Sequence, residues 1–101
     1  MYSEVQIERK EYEERISLLR QGMGEKGIDL ALLFHSTDVY YFSGTGTYST
    51  LAVPLDGEPI LLVRIGFERA LRDTWLKPEN VRRSQGMKSV KNLVLEQVPR
   101  T

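Results

Sequence analysis

The sequence contains no cysteine. That excludes a disulfide framework and any thiolate metal site. It also suits a reducing compartment, so a cytoplasmic location is expected. Charge of one sign is missing as well: 14 Lys and Arg balance 14 Asp and Glu, for a formal net charge of +0. Domains that bind nucleic acid carry a basic surplus, so no nucleic-acid partner is expected. Long apolar runs are absent. The longest, Leu30 to Phe34, falls far short of the roughly 18–20 residues that span a bilayer, and no membrane partner is expected. The opening residues, MYSEVQIERKEYEE, alternate in charge and lack the apolar core of a secretory signal.

What is present is one domain's length of chain, 101 residues, enough to bury a core without metal or disulfides. Residues 4–26 read as one long helix. Tyr12, Ile16, Leu19 and Met23 share a face, Ser3 is placed to cap the start, and Gly27 follows Lys26 as a stop. The run Asp29 to Phe34 is apolar on successive positions, as in a strand buried on both faces. Ser36 or Thr37 then caps a short helix through Asp38–Phe42, ended by Gly44.

Thr50 to Val63 reads as a hairpin. Asp56-Gly57 suits a two-residue type I′ turn, which would set Val53 opposite Ile60, Leu51 opposite Leu62 and Pro54 opposite Pro59. Proline cannot donate to a ladder, so that end belongs at a sheet edge or a strand end. Gly66 to Leu76 returns to helical spacing, with Phe67, Ala70, Leu71, Thr74 and Trp75 on one stripe, and Pro78 blocks continuation. Asn80–Arg83 suggests a short edge strand. Residues 88–98 form a last helix, with Val90, Leu93, Val94 and Val98 in register. Strands mixed with helices and one antiparallel hairpin predict an α/β fold, a mixed β-sheet flanked by helices.

No complete catalytic set emerges. The run Gly44-x-Gly46-x-x-Ser49 lacks the third glycine of a dinucleotide fingerprint and precedes a strand instead of following one. There is no P-loop, no serine elbow and no pair of acids at a strand end. The single histidine, His35, follows a strand at a favoured ligand position but has no second metal ligand beside it, so no metal site is assigned. Tyr40, Tyr41 and Phe42 cannot all face one core from a short helix. At least one is therefore exposed beside the Thr45–Ser49 loop, where ligands and partners are commonly met.

A longer pattern carries more. Arg15-Ile16-x-x-Leu19-Arg20-x-x-Met23-x-x-Lys26-Gly27-Ile28-Asp29-Leu30-Ala31-Leu32-Leu33 is followed by Asp38-Val39-x-Tyr41-Phe42-Ser43-Gly44, by the hairpin with Asp56-Gly57 at its tip, and by Glu68-Arg69-Ala70. Over residues 12–98 this resembles the creatinase/prolidase N-terminal domain of Xaa-Pro aminopeptidases, Xaa-Pro dipeptidases and creatinases. The resemblance implies a ribonuclease-H-like mixed sheet over residues 1–101, placed ahead of a pita-bread catalytic domain that is not in this sequence.

In the peptidases that catalytic domain holds two divalent metal ions on two Asp, one His and two Glu. The N-terminal domain then supplies a wall of the cleft for a proline-containing peptide and a homodimer contact, and is not itself an enzyme. Tyr41, Ser43 and Gly44 match the family signature. The implied roles are structural: Gly44 turning the backbone, Ser43 bonding nearby backbone and Tyr41 packing beneath the loop. Asp56 and Gly57 match the hairpin tip. His35, Tyr41, Thr45 and Tyr48 are the candidates for contact with substrate or partner. Two alternatives remain open: the same domain of a creatinase-like or non-peptidase relative, and a free-standing interaction module.

Overall fold

The computed structural model describes residues 4–97, and side chains from 9 to 96. Helix α1 (Glu4–Lys26) leads into strand β1 (Leu30–Leu33), helix α2 (Ser36–Ser43), strands β2 (Tyr48–Pro54) and β3 (Ile60–Ile65), and helix α3 (Phe67–Asp73). A single 3₁₀ turn (Pro78–Asn80), strand β4 (Val81–Arg83) and helix α4 (Met87–Gln97) follow. The expected Ser3 cap and the Val98 position lie outside the described residues.

The sheet runs in the order β1-β2-β3-β4. The first two pairings are antiparallel and β3–β4 is parallel, so the sheet is mixed, as expected. Alternation along β2 and β3 sorts side chains between two cores. Leu51, Val53, Leu61 and Val63 face Ile16 and Met23 of α1, Val39 of α2 and Ala70 of α3. Ala52, Ile60 and Leu62 face Val90 and Leu93 of α4. Helix α1 closes with Ile28 N–H donating to Met23 O at 2.8 Å, a bond that satisfies one of the carbonyls a helix end leaves open.

Four local expectations need correcting. Strand β1 is only half-buried along its length, because it is the outer strand and helices on the two faces cover it incompletely. Helix α2 is capped by His35, whose Nδ1 accepts from Thr37 N–H at 3.3 Å; Ser36 and Thr37 already belong to the helix. Helix α3 stops at Asp73 because Thr74 is extended, at φ −80° and ψ 150°, and Thr74 and Trp75 turn to other partners described below.

The hairpin register is the fourth. Leu51 pairs with Leu61 and Ala52 with Ile60, one residue away from the register that a two-residue turn demands. A type I′ turn needs positive φ at both central residues, and only Gly57 has it, at 106°. The loop is longer instead, and Arg20 of α1 holds it. Its Nε donates to Pro54 O at 2.9 Å and its Nη2 to Gly57 O. Pro54 ends β2, opposite Leu30 of β1, which places the proline at a strand end.

Candidate functional site

The C-terminal end of β1 and the adjoining ends of β2, β3 and β4 frame a cleft of about 420 Å³. Its cause is the position of α4. That helix begins only at Met87, so the residues of β2 and β3 that lie beyond its first turn are left without a helix over them. Tyr48 and Thr50 of β2 and Arg64 of β3 line the opening, with His35 on one side and Ser84 on the other.

Arg64 owes its place to a bulge. Tyr48 pairs with Ile65 but Ser49 with Val63, which leaves Arg64 as the extra residue. A bulge of this kind commonly re-aims one side chain. Two of the four contact candidates, His35 and Tyr48, meet in this cleft. Tyr48 leaves 67% of its surface exposed. The neutral His35 ring carries its proton on Nε2, since Nδ1 is the acceptor of the cap.

Tyr41 and Thr45 go elsewhere. Tyr41 lies against α1 instead of beneath the loop. The Arg15 guanidinium stands 4.1 Å from its ring centroid and 5.1 Å from that of Tyr12. Arg15 Nη1 also donates to Tyr41 O at 2.8 Å, while Nη2 donates to Glu11 at 3.0 Å. Thr45 is fully buried. It belongs to a ladder of hydroxyls: Thr45 Oγ1 lies 3.1 Å from Thr47 Oγ1, and Thr47 Oγ1 lies 2.9 Å from Ser49 Oγ. Thr45 Oγ1 already accepts from Thr47 N–H. A hydroxyl both donates and accepts, so either member of each pair can be the donor. Ser43 starts the same buried stretch, donating from Oγ to Val39 O at 2.5 Å and accepting from Thr45 N–H at 3.3 Å. Gly44 closes α2 at φ 84°. Asp56 and Gly57 sit at the far end of β2, away from the cleft.

A tie at that far end is electrostatic. Lys77 Nζ and Asn80 Nδ2 each donate at 2.7 Å to the Glu58 carboxylate. These bonds, the lysine's first, hold the Glu58 carboxyl below the usual carboxylate range. The same bond to Glu58 raises Lys77 above the usual lysine range. The carboxylate's contribution is present above its ordinary pKa and fades as pH falls through the lowered one; the lysine's fades only at strongly alkaline pH. Both groups are well exposed, so the tie carries little stability.

Arg64, Thr50 and Ser84 were not among the residues expected at the site. The signal for Arg64 is a charged residue interrupting the apolar run ILLVRI, at the position where the bulge forms. Among the described residues, no three His, Cys, Asp or Glu side chains stand close enough to hold a metal ion, and no helix is long and apolar enough to cross a membrane.

A mixed four-stranded sheet between helical layers, with a cleft where the strands end, defines a two-faced α/β domain carrying the Tyr-x-Ser-Gly element at the end of α2. The sequence profile of the creatinase/prolidase N-terminal domain matches residues 15–101, and the chain belongs to that family. No curated protein sequence matches it. Among solved structures it is similar to the crystal structure of an Xaa-Pro aminopeptidase from Streptococcus pyogenes, with a TM-score of 0.73 and 20% identity, over 86% of this chain and 67% of that one. At that identity the likeness speaks for the fold.

Proposed function

We propose that this chain is the non-catalytic N-terminal domain of a proline-specific metallopeptidase, an Xaa-Pro dipeptidase or aminopeptidase, and that its work is to shape the substrate cleft and the oligomer interface. Family membership supports the reading. The observation that carries it is the cleft at the strand ends, with the exposed Tyr48 ring at its mouth. Residues 1–101 are then one domain of a longer cytoplasmic protein. The two divalent ions belong to the catalytic domain of that parent, where they would activate a shared water and polarise the scissile carbonyl.

What this domain contributes is shape and contact. A tyrosine ring offers a flat apolar face for a proline ring and a hydroxyl for a peptide polar group. The hydroxyl ladder on either side of Tyr48 fixes the start of β2, and therefore where that ring stands. The test uses the full-length parent. Tyr48→Ala is expected to raise KM about threefold to tenfold while kcat and the thermal midpoint hold. An unchanged KM overturns the assignment.

A further inference from the structure

The cleft does not end at its polar floor. It shares Phe34, Met87 and Val90 with an apolar groove of about 280 Å³ that runs on between β1 and α4, past Leu32 and Val94. The two hollows differ in chemistry. The cleft presents the Arg64 guanidinium, the Thr50 hydroxyl and the Nε2–H of His35. Among the described residues Arg64 has no ion pair or hydrogen bond, and Thr50 has no side-chain partner. The groove is walled by aliphatic and aromatic carbon, with Lys91 at its edge. Among the described residues, no Asp or Glu lines either hollow, although the chain carries 14 of them.

We propose that the cleft and groove together bind a small amphipathic organic anion: a carboxylate held at Arg64, Thr50 and His35, with an extended apolar body laid along Phe34, Met87 and Val94. The proposal rests on reading the cleft as a contact surface, and not on the metallopeptidase assignment. Three observations support it. Arg64, the guanidinium that lines the cleft, has no counter-charge among the described residues, and a carboxylate accepts two parallel bonds from a guanidinium. The bulge places that cation beside the strand residues, where neighbouring donors can share the anion. Large apolar side chains are exposed along the adjoining wall, Phe34 at 54% and Met87 at 69%, and apolar surface clustered next to a hollow of this size marks a place where apolar matter is covered.

The experiment titrates the 101-residue protein with 4-phenylbutyrate, followed by amide chemical shifts at low ionic strength, with 4-phenylbutanamide as the uncharged control. Shifts are expected at Tyr48, Thr50, Arg64 and along the first turns of α4, with clearly weaker binding of the amide. Arg64→Gln, an exposed change that leaves both cores intact, is expected to weaken 4-phenylbutyrate about fivefold. Arg72→Gln, on the exposed side of α3, should leave it unchanged. Equal binding of acid and amide overturns the proposal, as does Arg64→Gln binding like the wild type, or shifts confined to other surfaces. If Arg64→Gln has no effect while Tyr48→Ala still raises KM in the parent, the anion site falls and the contact surface stands.

Discussion

Gly44 shows how much one position decides. Its φ of 84° is a conformation that costs a side chain about 1–2 kcal/mol. A Cβ placed there would also stand 3.3 Å from the Tyr12 ring and 3.4 Å from Asp73 O. Gly44→Ala is therefore expected to lower stability by about 1–3 kcal/mol, read as a lower denaturant midpoint at unchanged slope. A midpoint equal to the wild type would mean that the turn relaxes at no cost. Gly44 was legible in the sequence, because a glycine directly after a helical run is a stop signal whatever surrounds it. His35 as a cap was not, because Ser36 and Thr37 offer the commoner capping hydroxyls and only the backbone geometry decides which residue stands outside the helix. Nor was the fate of Thr45. A threonine in a Gly-Thr-Gly run reads as exposed loop until its neighbours at two-residue spacing are seen to stack inward as a ladder.

Between elements, the decisive contact is a clasp at the end of α2. Thr74 Oγ1 donates to Ser43 O at 2.6 Å, and Trp75 Nε1 to Phe42 O at 2.8 Å. Carbonyls at a helix terminus have no partner of their own, and here the segment after α3 supplies two. Tyr12 of α1 stacks on the Trp75 ring, with centroids 6.2 Å apart, so three helical regions meet at one indole. Trp75→Phe keeps the ring and removes the donor. It is expected to cost about 1–2 kcal/mol in thermal unfolding, and a wild-type midpoint would show that Phe42 O finds another donor. The clasp explains why apolar periodicity overran the helix. Thr74 and Trp75 sit on the α3 stripe by spacing, yet their polar atoms are claimed by α2, and periodicity carries no information about a partner 31 or 33 residues away. The hairpin register was missed for a similar reason: the grip of Arg20 on the loop is a tertiary bond that turn chemistry does not contain.

For the molecule as a whole, the two cores are unequal. Among the described residues, the layer of α1, α2 and α3 shares ten buried side chains with the sheet, and the α4 layer shares five. Local opening follows the thinner layer. Amide exchange is expected to be slowest in β2 and β3 and faster in α4, and Leu93→Ala, at a site 1% exposed, should strip protection from α4 more than from the strands. Equal loss in both would show a single cooperative unit. Layering and element order were readable from patterns of apolar residues, since each pattern is set by residues close in sequence. The uneven cover was not, because it depends on how far α4 reaches over the strands. The ladder pattern has a kinetic consequence. The β1–β2 and β2–β3 pairs each join successive strands, and the widest pairing is Leu30 with Pro54. Modest loop closures of this kind favour quick assembly. β4 reaches its place parallel to β3 through the α3 crossover, and its pairing of Val81 with Leu61 spans no more chain than that of Leu30 with Pro54, so the strand that completes the Arg64 side of the frame closes as readily as the others.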